Sequence, residues 1–518
     1  MSTNAATGQQ SDAPGETDGP DIADDDRRLH ELGYARVLLP RLSFFGSIAI
    51  PFSSISILTG PVTLLTFAMM TGGPVAVMWT WIVGGPFMLC VAAAMGRISS
   101  AYPVAGAVYF WTAKLAKKHP VFASFTAAWI NGVGKLAGGA SAAYGAAFFI
   151  GAFAAIQWHV GITPLRTLGI FAAILILCGL ANVFAVRAVG WLNVASLVVH
   201  VAGVLVIVVC LVVIPAHHQS IGFVFGHFVN DTGWSESWYV WFLAPLTLGY
   251  TFTGIDAAGD MSEETIKAQR NPSRAMVQSV FWSWILGGIL IFAFLYSIQN
   301  YNSEMQSPYS VAPAQILIDA LPGILSTVLI GWIICAQLLC VMSCFTVGPR
   351  SIFAIARDHA APFSAWLYKT NRVRVPVRAL AAAVVGVFLF GLPAYFSLTL
   401  FFAVTSVSAA ALFGSYAIPI YMSVRRGTTF TPGPWEPPKP RLIGWTALGF
   451  IAVIFIMICL PTTRDFMHPA NFNWTLVAIA VALAAVISWY WLVGRKTYDG
   501  PVSYGTPEEL AAMEADLA

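Results

Sequence analysis

The chain has 518 residues, of which 58% are hydrophobic and only 10% charged, with a formal net charge of +3. Soluble domains carry about 25% charged residues. The composition therefore excludes a large soluble core and points to a polytopic membrane protein, whose spans each need about 20 mostly apolar residues.

Residues 1–26 hold seven acids and no Lys or Arg, spaced by Gly, Pro and Ser. Such a composition predicts a disordered acidic tail, continuing to residue 41. A basic stretch followed by an apolar core is missing, so this is no signal peptide, and the first span is expected to serve as its own targeting signal.

Apolar runs predict twelve spans, at 42–70, 73–95, 121–153, 165–186, 190–214, 238–261, 276–298, 322–348, 378–396, 399–423, 442–461 and 473–493. Lys and Arg test the threading. With the N-terminus in the cytoplasm, 24 of the 27 basic residues fall on the cytoplasmic side; Arg166 and Arg464 fall outside and Lys135 lies within a span. That asymmetry is what the positive-inside rule demands. It places both termini in the cytoplasm and makes the basic clusters topology signals rather than a nucleic-acid surface.

The first span reads "FFGSIAIPFSSISILTGPVTLLTFAMM", with Ser53, Ser54, Ser56, Thr59, Gly60 and Pro61 at its middle. Pro61 lacks a backbone donor and disfavours helix at the residue before it. The sixth span carries Thr253, Gly254 and then Asp256. Two Thr-Gly breaks five helices apart match a five-plus-five inverted repeat with discontinuous first helices. The repeats are expected at 42–214 and 238–423, followed by two additional helices over 442–493 and a cytoplasmic tail from 494. Kinks without function are the plainer reading of Gly and Pro in such helices. Paired, hydroxyl-rich breaks favour a binding site, because hydrocarbon cannot satisfy the backbone groups they free and a small charged ligand can.

Five segments carry a family resemblance: "FSSISILTG" (52–60), "GGPVAVMWTW" (72–81), "SSAYPVAGAVYFWTAKLA" (99–116), "TGIDAAGDMSEET" (253–265) and "RSIFAIARDHAAPFSAWL" (350–367). In this order they resemble the amino acid–choline branch of the amino acid–polyamine–organocation permeases, which includes GABA and choline permeases. The resemblance runs from about residue 31 to about 495. It implies an all-α membrane protein with twelve transmembrane helices, the leucine-transporter-type fold and secondary transport of small amines or amino acids. The motif near Asp256 usually has His where this chain has Asp260.

Substrate is expected between Ser56, Thr59, Gly60 and Pro61 on one break and Tyr250, Thr253, Gly254 and Asp256 on the other, with Lys135 and residues of spans eight and ten completing the pocket. A charge at mid-span costs about 2.5–3.5 kcal/mol on insertion scales, so each one needs a partner or a role. Asp256 is read either as a carboxylate for a substrate ammonium or as a cap on the broken helix. Lys135 is expected to pair with Asp256 or share a hydrated cavity with it, to stand in for a coupling cation, or to meet a substrate carboxylate. His200 is read as a proton relay or as an interhelical hydrogen bond. Glu263 and Glu264 are expected to pair with basic residues at an inner gate, or simply to be a solvated helix end. Asp256 is counted as the sole intramembrane carboxylate, which disfavours a rich sodium site and leaves proton symport, antiport and uniport open.

Neither the seven cysteines, all within predicted spans, nor His217, His218 and His227 in the external segment 215–237 form a metal-ligand set. No disulfide, cofactor or metal is expected. Residues 308–321 suggest a short external helix, and "FTPGPWEPPKP" (430–440) a Pro-rich cytoplasmic linker. The expected partners are a small amino acid or amine, protons on some mechanisms, and the lipid bilayer; monomer and homodimer are both open. No HExxH, GxSxG or paired-carboxylate constellation supports an intramembrane enzyme. A nutrient receptor without transport would need larger cytoplasmic regions than these tails. The sequence thus predicts a plasma-membrane permease for an amino acid or amine such as GABA, with choline or polyamine as the alternative cargo.

Overall fold

The computed structural model describes residues 19–36, 42–184, 186–371, 375–468, 471–501, 505, 506, 509 and 510; the acidic stretch 1–18 lies outside the described residues. Among these the fold is helical, with only two isolated β-bridges. Eleven helical segments are long and apolar enough to cross a membrane, from Phe44–Met70 to Thr475–Thr497. They coincide with eleven of the expected spans. The sixth, expected over 238–261, is instead three short helices, Ser237–Trp241, Leu246–Thr251 and Ala257–Asp260, separated by turns. Its glycines and Asp256 divide it, so no single helix there reaches spanning length.

The first span is divided too, into Phe44–Ile55 and Gly60–Met70. Ser56 closes the first half in the left-handed region, at φ 42°. A non-glycine residue held there is strained, and such strain concentrates at functional sites. Pro61 sits in the first turn of the second half, where its missing N–H would be unpaired in any case.

The halves meet reciprocally. Gly60 approaches Thr251 so closely that a Cβ on it would lie 2.3 Å from Thr251 Oγ1 and 2.9 Å from Thr251 Cα. Gly254, at φ 83°, faces Ser54, whose Cβ is 3.0 Å from the point a side chain would occupy. At the end nearer the N-terminus, the two spans zip through backbone hydrogen bonds from Leu42 N to Glu264 O (2.9 Å) and from Ile266 N to Leu42 O (3.0 Å).

Around this pair the long third span, Pro120–Trp158, packs against the eighth, Gly323–Arg357, and the tenth, Leu398–Arg426; the second span packs against the seventh, Asn271–Tyr296. The first span is the most enclosed, with 94% of its most apolar window buried, against 11% for the twelfth. Burial falls from the broken pair outwards because the outer helices give their apolar faces to lipid, as with exposed Leu177, Val198, Leu389 and Val481.

Part of the expected acidic tail is ordered. Gly19–Glu31 is a helix, and Leu29, Leu32 and Tyr34 join the core. Asp25 Oδ1 accepts from Ala268 N (2.9 Å) and Arg28 donates to Ala101 O (2.9 Å), which explains why an acidic segment folds here. Burial pushes the Asp25 carboxyl up to about 6. The Pro-rich linker is also fastened: Arg97 at the end of the second span holds Glu436 at 2.7 Å and lies over the Phe430 ring.

Candidate functional site

The two breaks line a small cavity of about 60 Å³, below the roughly 300–1,000 Å³ usual for small-molecule sites. Of the expected residues, Thr59, Gly60, Tyr250, Thr253, Gly254, Asp256 and Lys135 line it. Cys340, Cys344, Val347 and Gly348 of the eighth span and Leu412 of the tenth close it, as do Gly138, Gly139 and Ala142 of the third. Ser56 and Pro61 do not reach its wall. Pro61 is buried as the first turn of its helix, and the Ser56 side chain turns away toward the fifth span.

Asp256 is wholly buried and held from three sides. Tyr416 donates to its Oδ1 (2.6 Å); Asn131 and Lys135 each donate to Oδ2 (3.0 Å). The expected pairing of Lys135 with Asp256 is therefore present. Asp256 does occupy the N-cap position of Ala257–Asp260, but its side chain makes no capping bond there. The capping alternative thus gives way to the ion pair, because Tyr416, Asn131 and Lys135 already draw the carboxylate across the bundle.

Lys135 also contacts Asp260 Oδ2 and donates to Ser351 Oγ (2.8 Å), and Ser351 donates in turn to Asp260 Oδ1 (3.2 Å). Counting Asp256 as the sole intramembrane carboxylate is thereby corrected: Asp260, 1% exposed, is a second one. Four residues carry a pattern that sequence inspection could have found. Asn131 and Lys135 stand one turn apart on the third span, and Asp256 and Asp260 one turn apart on the sixth. Side chains four residues apart share a helix face. Tyr416 and Ser351 left no such signal, since only the folding of spans eight and ten brings them here.

His200 lies outside the cavity, fully buried between the first and fifth spans. Its Nδ1 is 2.8 Å from Ser196 O, a carbonyl that can only accept, so Nδ1 carries the hydrogen. Nε2 then accepts from Ser56 Oγ (2.7 Å), and Ser56 Oγ lies 2.6 Å from Thr59 Oγ1. The interhelical hydrogen bond is thus present, and it bears on the strained residue of the first break.

Glu263 and Glu264 lie toward the N-terminal end, away from the cavity. Glu263 Oε1 accepts from Ala105 N (3.0 Å) and Arg357 (3.4 Å); Glu264 accepts from Arg350 Nε (2.5 Å) and Nη2 (3.2 Å). Asp358 beside them accepts from Tyr34 (3.2 Å) and Tyr109 (2.8 Å), and Arg357 stacks over the Tyr34 ring at 4.2 Å. Tyr34 falls in the stretch whose composition predicts a disordered tail, so only the fold reveals its part here.

Of the external histidines, His218 stacks on Tyr296 and His227 on Phe223. Among the described residues no group of three or more His, Cys, Asp or Glu could hold a metal ion, and the cysteines are free thiols.

Residues 42–484 match the amino acid permease family. Among similar proteins, the amino-acid permease BAT1 of Arabidopsis thaliana is 30% identical, the alignment covering 92% of this chain and 96% of the relative. The GABA-specific permease of Saccharomyces cerevisiae is 25% identical over 96% of this chain and 90% of its own. Amino-acid permease 2 of Neurospora crassa is 27% identical, with coverages of 92% and 89%.

Proposed function

Because the chain belongs to the amino acid permease family of the amino acid–polyamine–organocation superfamily, we propose that it moves an amino acid or related amine by alternating access around the two breaks. It is a multi-pass membrane transporter for amino acids or related amines. The observation that carries the mechanism is the reciprocal contact of Gly60 with Thr251 and of Gly254 with Ser54 beside one small cavity. Movement of one broken span is thereby tied to movement of the other.

The substrate carboxylate faces the start of helix Gly60–Met70, where the helix dipole favours an anion. Its ammonium faces the carbonyl end of Leu246–Thr251 and Asp256. The Glu263–Arg357 and Glu264–Arg350 pairs form the inner gate, and Lys135 and His200 hold the breaks to the third and fifth spans. The protein resides in the plasma membrane with both termini cytoplasmic, as its distribution of Lys and Arg favours. The repeats span 42–214 and 238–423, with 442–493 added outside them.

Counterflow of labelled substrate in proteoliposomes, screened over amino acids, GABA, choline and polyamines, tests this reading. Counterflow of an amino acid or GABA supports it. A protein that takes up choline or polyamines alone moves the cargo to the alternative class, and one that binds but never exchanges its ligand is a receptor.

A further inference from the structure

One ammonium faces two carboxylates where the third span crosses the inner half of the sixth. Lys135 Nζ reaches Asp256 Oδ2 at 3.0 Å and also contacts Asp260 Oδ2. Both acids are buried, and their other partners are neutral: Tyr416 and Asn131 on Asp256, Ser351 on Asp260. On the tenth span, which supplies Tyr416, the charged residues are Arg425 and Arg426 of its last turn, Arg426 donating to the Leu115 and Lys114 carbonyls. The inner half of the first span has no charged residue, and Lys135 is the only Lys, Arg, Asp or Glu of the third. On the eighth span, Arg350 and Arg357 are engaged by Glu264 and Glu263. Arg274, the only charged residue of the seventh, is exposed. Cys344, which lines the cavity with Lys135, is the titratable neutral group facing it from the eighth span. The cluster thus falls one positive charge short, and a net charge at this depth is too costly to carry through a transport cycle unbalanced.

The geometry assigns that missing charge to a proton on Asp260, so that one zwitterionic substrate crosses together with one proton. This inference rests on the transporter reading above. Asp256 accepts from three donors and lines the substrate cavity. Asp260 lies one turn deeper, and Ser351 can reverse its part in their hydrogen bond. A hydroxyl donates or accepts, so a proton on Asp260 Oδ1 is received by Ser351 Oγ without any other group moving. Lys135 and Ser351 also line a second cavity of about 470 Å³, which extends to Ala361 and Leu367 beyond the eighth span. The cycle balances as follows. A proton from the medium that supplies the substrate binds the Asp260 carboxylate, the substrate enters the neutral site, and proton and substrate both leave on the other side. The carboxylate is restored and no bond other than O–H is made or broken.

The test uses the full chain in proteoliposomes with labelled GABA, or the zwitterionic amino acid giving the strongest wild-type counterflow, and a pH-sensitive dye. The wild type is expected to move one proton per substrate and to accumulate substrate along an imposed pH gradient. Asp260→Asn is expected to lose that accumulation at least ten-fold and to lose proton movement, while counterflow falls much less. Ser351→Ala removes a hydrogen bond that the ionised carboxylate accepts, so half-maximal proton-driven uptake is expected at a higher pH by half a unit or more. Wild-type counterflow without proton movement overturns the assignment, as does proton-driven accumulation retained in D260N. If D260N does not fold, an unmoved midpoint in S351A overturns it instead. Absence of wild-type counterflow for every zwitterion defeats the transporter reading itself, a separate result.

Discussion

Lys135 Nζ lies 3.0 Å from Asp256 Oδ2, joining the third span to the break in the sixth through a buried ion pair. Removing one partner of such a pair strands the other in a medium that cannot solvate it, at a cost of about 3–5 kcal/mol. Lys135→Gln is therefore expected to lower the thermal unfolding temperature in detergent and to reduce uptake at least ten-fold. The double variant K135Q/D256N should recover part of the stability without recovering uptake. Unchanged uptake and pH dependence in K135Q would remove Lys135 from the mechanism.

Gly60 and Gly254 admit no side chain for different reasons. A Cβ at Gly60 would collide with Thr251, backbone included, whereas Gly254 holds a backbone angle of 83° and also faces Ser54. Gly60→Ala should separate the halves and cut the maximal uptake rate at least ten-fold. Pairing it with Thr251→Gly, which removes the nearest side-chain atoms, should restore a measurable fraction. Gly254→Ala should not be rescued by Ser54→Gly, since the strain lies in its own backbone. Initial-rate uptake of the four variants checks this.

Glu264 and Arg350 meet through two hydrogen bonds, at 2.5 and 3.2 Å. If the pair gates the inner end, Glu264→Gln should raise the labelling rate of a cysteine placed at Val347 by a reagent supplied from the N-terminal side. The reversed pair E264R/R350E should return it toward the wild-type rate. Equal labelling in all three proteins would show the pair to be structural only.

Glu304, between the seventh and eighth spans, is fully buried and accepts from Gln299 N at 2.8 Å, while its second carboxyl oxygen has no partner. Burial pushes its carboxyl from the ordinary 4.5 up to about 7. The folded loop therefore retains a proton that the opened loop releases over this window. Its stability falls as pH rises from about 4.5 through about 7. Exchange of the Gln299 amide, corrected for its intrinsic rate, should be slower at pH 5 than at pH 8. Glu304→Gln should abolish the difference.

The N-terminal helix is fastened by Tyr34, which bonds Asp358 and stacks under Arg357. Tyr34→Phe keeps the stacking and loses the hydrogen bond, worth about 0.5–1.5 kcal/mol. Its expected effect is faster proteolysis within residues 19–36, with the fold of the spans intact. Limited digestion followed by mass spectrometry measures it.

Much of this architecture was legible beforehand, for identifiable reasons. A helix in hydrocarbon must satisfy its backbone internally, so a span announces itself as an apolar run, and eleven of the twelve expected runs are long helices. The broken sixth was legible as a defect in such a run at Thr253, Gly254 and Asp256. The helix at Gly19–Glu31 was not, because its composition is that of a solvated tail and its order comes from contacts with Ala101 and Ala268, far away in the chain.

The sequence by itself determined the spans, the two breaks and the presence of costly charges at Lys135 and Asp256, since these follow from local composition and backbone chemistry. The tertiary structure alone decided their partners. It brought Asp260 to the same ammonium as Asp256, drew Asp256 away from capping its own helix, and turned Ser56 from the cavity toward His200. Ion pairs and hydrogen bonds between helices depend on which faces meet, and that is set by packing over distances of more than a hundred residues, which no local pattern encodes.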